Sequence, residues 1–394
     1  MKYKNVAFVL GLCPNGLGAI RSLGRQGIPI VGLDYKPDGP GFYSRYANAK
    51  LCPNPYLEPD KMCAYLMDLG DTLNEKGVLF PTSDEFVLFV SRYRHKIRDR
   101  FLFALPSETA VESLLNKRWQ YLKAEETGTP YPQTFYPESL DDIDRIKDEI
   151  EYPAIIKPCY THLWKEKSFV TKGFIVNNES ELTEKLELTF YHDVAVIIQS
   201  VVPGPVTNFY EVCSYLDMQN NPLCVFTKKK VRQYPCDMGV GSLMESVRED
   251  DLANSALKLF RGIKYHGIGE VEFKRDPRNG QFKMIEINSR ITLQNSLADY
   301  CGINLPLIQY QDLTGLTPVF RGDYTENKKW LWAEIDYEVF RCLNNNGELS
   351  WFSWLQSLVQ CCSYAVFAYD DMRPFLNFLS KFIRRKLIVF NNLS

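Results

Sequence analysis

Between Phe282 and Leu293 the chain reads FKMIEINSRITL, an apolar stretch in which Glu286, Asn288 and Arg290 recur at every second position. Side chains alternate across a β-strand, so these three share one face while Ile285 and Ile287 take the other. A partner strand lies just upstream in GIGEVEFKRDPRNGQF, where Asp276, Pro277, Asn279 and Gly280 supply a hairpin turn. In that strand Val271 and Phe273 point one way, and Glu270, Glu272 and Lys274 the other. With Val271 and Phe273 on the face of Ile285 and Ile287, Glu272 is expected to face Glu286 and Asn288. Two carboxylates and an amide oxygen brought together repel one another unless a cation sits among them. An all-oxygen set selects Mg2+ or Mn2+ over zinc, and Mg2+ fills its remaining positions with water and phosphate oxygens. The spacing therefore implies a metal-bound nucleotide. The competing reading is a solvated sheet face with alternating polar residues.

Two lysines upstream fit the same chemistry. Lys157 ends the strand YPAIIKP, and Lys117 opens the helix that follows SLLN. Either alone reads as a surface lysine. Ahead of a carboxylate hairpin they form a phosphate clamp, since ammonium groups and Mg2+ neutralise charge on transferring phosphoryl oxygens.

The elements that must carry these residues follow from the pattern. Residues 5–12, NVAFVLGL, form an apolar strand; a turn with Pro14, Asn15, Gly16 and Gly18 leads into the helix AIRSLGRQG and the strand IPIVGLD. This is a β-α-β unit, which favours an open α/β sheet. GVLFPTSDEFVLFVSRYRHKI is a second strand running into a helix. Gly11, Gly16 and Gly18 miss the G-x-G-x-x-G spacing, so Asp34 at the end of the second strand reads as an imitation of a ribose-binding acid rather than part of an NAD site. At PTSDE two readings stay open: Ser83 and Asp84 orient an amine or hydroxyl at a strand end, or Thr82 to Glu85 form a capping box.

Composition narrows the function. The 394 residues are 45% hydrophobic and 24% charged with formal net charge −2, which gives no basic face for nucleic acid. The 11 Cys include no CxxC pair and there are only 4 His, so zinc is disfavoured and reduced thiols in a cytoplasmic protein are expected. No apolar run is long enough to span a membrane, and the start MKYKNVAFVLGL reads as a first strand rather than a signal peptide.

NKRWQYLKAEETGTPYPQT, YPAIIKP, VIIQSVVPG, KKKVRQYP and GIGEVEFKRDPRNGQFKMIEINSR, in this order, resemble the ATP-grasp superfamily, and within it D-aspartate ligase-like carboxylate–amine ligases. The resemblance runs from about Lys117 to Leu305 and extends to both flanks. It implies an α/β fold, α+β in its central part: an N-terminal Rossmann-like open parallel-sheet domain over 1–112, a small lobe or lid over 113–192, a large lobe with the metal hairpin over 193–319, and a helical extension over 320–394. Lys117 and Lys157 would contact the ATP phosphates. Gln199, Ser200, Val201 and Val202 would form the hinge whose backbone meets adenine, with Gln199 where many relatives carry Glu, and Glu211 would approach the ribose. Glu272, Glu286 and Asn288 would hold Mg2+, and Arg290 would lie beside the γ-phosphate and the reacting carboxylate.

The expected reaction is amide formation through an acyl phosphate, on small-molecule carboxylate and amine substrates such as an amino acid or a cell-envelope precursor. The alternatives are a kinase-like phosphotransferase and a nucleotide-binding sensor. Arg232, on a face with Lys228 and Lys230, is expected to receive a substrate carboxylate, and Gly241 lies in a small-residue loop that could touch ligand. The segment CYTHLWKEKSFVTKG replaces a Gly-rich phosphate loop, with Lys165, Lys167, Ser168 and Lys172 as candidate contacts, and the lobe over 160–190 should close as a lid. The tail FLSKFIRRKLIVF, with Arg384, Arg385 and Lys386, packs on the body or rests on an anionic membrane surface. A homodimer is compatible with the sequence, which leaves oligomeric state open.

Overall fold

The computed structural model describes residues 3–160, 164, 169, 172–236, 238–318 and 323–381. The strands of the described residues form three sheets. The first is parallel and contains β1 (Ala7–Leu10), β2 (Ile30–Asp34), β3 (Asn48–Leu51), β4 (Gly77–Pro81) and β5 (Phe101–Leu102) in the order β3-β2-β1-β4-β5. Its central strands AFVL and GVLFP are buried along their whole length, as parallel strands covered on both faces must be.

The turn after β1 shows what its glycines do. Gly11 adopts φ +96°, and a Cβ on Gly16 would collide with the Gly11 carbonyl oxygen. Asp34 accepts hydrogen bonds from the Leu12 amide (2.6 Å) and the Lys36 amide (3.0 Å), so it ties the turn together. The glycines and Asp34 thus serve a tight strand-to-helix connection.

The small lobe is a four-stranded sheet of β6 (Thr134–Phe135), β7 (Ala154–Pro158), β8 (Phe174–Val176) and β9 (Val196–Ser200), in the order β6-β9-β7-β8. The largest sheet has seven strands: β10 (Phe209–Leu216), β11 (Pro222–Tyr234), β12 (Val240–Ser246), β13 (Gly267–Arg275), β14 (Phe282–Asn288), β15 (Lys329–Leu331) and β16 (Cys361–Tyr364), ordered β14-β13-β10-β11-β12-β15-β16.

One apolar core joins the parallel sheet to the large one. Leu12, Ala19 and Leu23 share it with Tyr215, Phe226, Leu297 and Trp330. The first domain and the large lobe therefore bury apolar surface against each other, and this junction holds the carboxyl ends of the parallel strands beside the β13–β14 hairpin.

The stretch from 320 onward departs from the expected helical extension. It contains the helices Ala333–Asn345 and Trp351–Ser357, but also β15, antiparallel to β12, and β16, parallel to β15. Trp330 and Leu331 are buried where β12 would otherwise be an open edge. Residues 382–394, with Arg384, Arg385 and Lys386, lie outside the described residues, as do Lys165, Lys167 and Ser168.

Candidate active site

The hairpin register sets the site. Glu272 lies directly opposite Glu286, Glu270 opposite Asn288, and on the other side of β13 Glu211 lies opposite Glu272. Lys228 on β11 is in turn opposite Glu211. A row of ionisable side chains thus crosses four strands: Lys228, Glu211, Glu272, Glu286. The register thus sets Glu272 and Glu286 face to face, with Asn288 two residues along β14 and opposite Glu270.

Ammonium groups answer the carboxylates. Lys117 pairs with Glu286, and Lys230 Nζ stands 3.0 Å from Glu272 Oε1. Burial alone would raise the Glu286 carboxyl, but Lys117, Lys172 and Lys157 hold it down at about 2. It is therefore ionised throughout the neutral range.

The edge of the sheet is gripped on both sides of Glu286. In the helix Lys117–Glu126, the Gln120 amide donates to the Ile287 carbonyl at 3.1 Å and accepts from the Ile287 amide at 2.8 Å, as a neighbouring strand would. Tyr121 donates to the Ile285 carbonyl at 2.6 Å. Asn116 caps this helix by accepting from the Arg118 amide, which fixes Lys117 at its first turn. Gln120 and Tyr121 were not singled out from sequence. Their signal was their place three and four residues after Lys117, on the same helix face.

Beneath the hairpin lies a buried polar layer. Glu270 accepts from Lys228 (2.7 Å), Thr292 (2.8 Å) and Cys213 (3.1 Å) with one oxygen, and from the Asn288 amide nitrogen (3.4 Å) with the other. Asn288 Oδ1 in turn accepts from Arg290 at 3.4 Å. This arrangement aims the Asn288 oxygen away from Glu270 and toward the side of Arg290. Lys228 Nζ also stands 3.0 Å from Glu211 Oε2, without the alignment of a hydrogen bond. Burial, and next the Glu270 charge, push Glu211 up to about 7. Glu211 is thus a buried member of the lysine–carboxylate layer.

Arg290 reaches across the domain junction. Its Nε donates to Asp84 at 2.6 Å, which brings the PTSDE segment to the hairpin. The capping box does not form: Thr82 donates its hydroxyl to the Leu10 and Gly11 carbonyls, and Ser83 sits at the helix N-cap without a side-chain cap. Asp84 also lines a cavity of about 310 Å³ shared with Lys117, Glu286 and Asn288.

Two expected substrate contacts are corrected. A register irregularity between Lys230 and Arg232 breaks the alternation of β11. Arg232 pairs bidentately with buried Asp336 (2.9 and 2.7 Å) and donates to Ser357 (2.7 Å), so its guanidinium is already engaged and fastens the 333–357 region to the sheet. Gly241 is buried in β12 opposite Gln233, and its carbonyl accepts from Gln294. The preceding loop meets the site instead through Gly239, whose carbonyl accepts from Lys230 at 3.4 Å.

In the small lobe Lys157 donates to the Gln199 side-chain oxygen at 2.9 Å. Burial, followed by the repulsion of Lys117, lowers Lys157 to about 8. A glutamate at 199 would pair with this ammonium, whereas neutral Gln199 leaves its charge for another anion. The amides of Ser200 and Val201 donate to the Gln133 and Pro153 carbonyls, each at 2.9 Å. The Val202 amide that follows donates to no backbone carbonyl among the described residues.

The donor set fits Mg2+ by its chemistry: two carboxylates and an amide oxygen, with the Lys117 and Lys230 ammoniums now supplying the positive charge. Among the described residues, no group of three or more His, Cys, Asp and Glu could hold a metal ion.

The chain is similar to known proteins over most of its length. Residues 117–312 match the family described as carbamoyl-phosphate synthase L chain, ATP binding domain. The chain is 22% identical over 352 residues to a D-aspartate ligase of Enterococcus faecium, covering 85% of this chain and 83% of that protein. It is 23% identical over 339 residues to the carbamoyl phosphate synthase large chain of Caldanaerobacter subterraneus, of whose length it spans 29%. The biotin carboxylase domain of the Hydrogenobacter thermophilus 2-oxoglutarate carboxylase, a dimer in complex with MgADP, ADP and bicarbonate, superposes with TM-score 0.65 at 17% identity, covering 82% of this chain and 73% of that one. The fold is the ATP-grasp fold, and residues 117–312 match an ATP-binding domain family. The curated proteins to which the chain is similar thus include a ligase, the D-aspartate ligase. No described helix is long and apolar enough to cross a membrane.

Proposed function

We propose that the protein is an ATP-dependent carboxylate–amine ligase acting on an amino acid or cell-envelope precursor. A substrate carboxylate oxygen attacks the γ-phosphorus of ATP, the bond to ADP breaks, and an acyl phosphate forms. The amine nitrogen then attacks the acyl carbon, the carbon–oxygen bond to phosphate breaks, and the amine loses a proton as the amide forms. Glu272, Glu286 and Asn288 would hold Mg2+, which when bound supplies positive charge to the phosphoryl oxygens. Lys117 and Lys157 bind the phosphates, Val202 receives adenine through its backbone, and Arg290 orients the reacting carboxylate from its position between Asp84 and Asn288. Ser83, the residue before Asp84, would add a polar contact to the substrate. Closure of the small lobe excludes water from the acyl phosphate.

The observation that carries this reading is the facing pair Glu272 and Glu286, each matched to an ammonium group, with Glu286 and its partner Lys117 also lining a cavity shared with Asp84. The test supplies amino acids in pairs with candidate carboxylates and follows ADP release and product mass. An amide product, with carboxylate 18O appearing in the released phosphate, is expected. A phosphorylated product formed with no amine present would make the protein a kinase instead.

A further inference from the structure

The cavity at the domain junction has a composition that selects its occupant. Its far wall is the β13–β14 hairpin with Glu286 and Asn288; its near wall comes from segments that follow β2, β3 and β4. These are the carboxyl ends of the parallel strands, where open α/β sheets bind ligands. Tyr35, Tyr56, Leu57, Leu88 and Leu115 give it an aromatic and aliphatic lining. Its ionisable lining residues are Asp84, Glu85 and Glu286 against Lys117 alone. Lys117 is paired with Glu286, and Asp84 is paired with Arg290. Glu85 is the lining carboxylate that no ion pair engages among the described residues. Lys36 is close enough to feel its charge, yet lies exposed and makes no ion pair with it.

Resting on the ligase reading above, we propose that this cavity takes the amine substrate, and that the substrate is a primary ammonium on an apolar or aromatic stem. Glu85 receives the ammonium in a charge-assisted hydrogen bond. The stem lies against the leucines, and the tyrosine rings favour a cation over an anion. About 310 Å³ is at the small end of ligand cavities, which suits the amine-bearing end of a substrate rather than a nucleotide. A phosphorylated amine is disfavoured, because the one lining ammonium, Lys117, is assigned above to the ATP phosphates. The position serves the reaction: an amine held here faces the hairpin at which the carboxylate is activated, so attack needs no diffusive search.

Three probes of one shape test this on the full chain: tyramine, the neutral tyrosol and the anionic 4-hydroxyphenylacetate, with binding followed by ligand-observed NMR and calorimetry. Tyramine should bind at least about tenfold tighter than tyrosol, the margin of one charged hydrogen bond, and the acid should not bind. Glu85→Gln should reduce tyramine to the affinity of tyrosol, and Leu88→Trp, which fills the cavity, should remove both. Equal binding of tyramine and tyrosol, preferred binding of the acid, absence of tyramine binding, or a preference that survives either substitution would overturn the assignment. ADP binding by the unmodified protein, measured in parallel, separates the two claims. Its loss defeats the ligase reading, whereas a missing tyramine preference with ADP bound defeats only the amine site.

Discussion

Lys157 illustrates how one side chain's surroundings become a measurable property. It sits near its titration point because burial disfavours the ammonium, Lys117 repels it, and its hydrogen-bond partner is neutral Gln199. A bound polyphosphate reverses the balance, since an adjacent anion favours the charged form. Below about pH 8 the free protein already carries the proton; above it the proton must be taken up on binding. Calorimetry at pH 9 in buffers of different ionisation enthalpy should therefore show uptake approaching one proton per ADP bound. Lys157→Met should show none. Uptake that is equal in both proteins would mean that Lys157 does not meet the phosphates. Gln199 was legible as a departure from the usual glutamate, but its consequence for Lys157 needed the distance between them.

At the scale of elements, β14 depends on a helix for its edge. Gln120 supplies both a donor and an acceptor to Ile287, and Tyr121 holds Ile285, so Glu286 is clamped between two fixed residues. Gln120→Ala should cost about 1–3 kcal/mol in denaturant unfolding, because it leaves buried backbone groups unpaired. It should also cut turnover by at least about tenfold, the general penalty of a misplaced reacting geometry. Unchanged turnover in a folded variant would show that the clamp does not position Glu286. The hairpin turn and the facing of Glu272 and Glu286 were readable in advance because alternation and turn residues are local signals, but an irregularity next to Glu272 sets Met284 rather than Ile285 opposite Phe273. The fate of Arg232 was not, because a strand irregularity between Lys230 and Arg232 sends it to Asp336, over a hundred residues away in sequence. Breaking that buried pair with Arg232→Ala should destabilise the chain by about 3–5 kcal/mol. A loss well below 1 kcal/mol would argue that the tie between β11 and the 333–357 region is dispensable.

For the whole molecule, the region after 320 completes the structure instead of decorating it. Two of its strands extend the large sheet, and Asp371, almost wholly buried, gathers Arg21, Ser44 and the Arg45 amide of the first domain. Sequence texture showed aromatic, helical character there but gave no sign of strands as short as Lys329–Leu331, whose pairing is set by long-range contacts. Asp371→Ala should leave the Arg21 guanidinium buried and unpaired, costing about 3–5 kcal/mol and lowering the unfolding midpoint. A midpoint equal to that of the unmodified chain would contradict this role. These ties hold the first domain and the large lobe around one site, and the claim about that site is that its acids grip a divalent cation with the nucleotide. The most direct test is ADP affinity measured with Mg2+ and with a chelator, in the unmodified protein and in Glu286→Gln. At least about tenfold tighter binding with Mg2+, lost in the variant while the fold is kept, is the predicted result. ADP affinity indifferent to Mg2+, or a variant that keeps the full Mg2+ effect, would contradict the assignment.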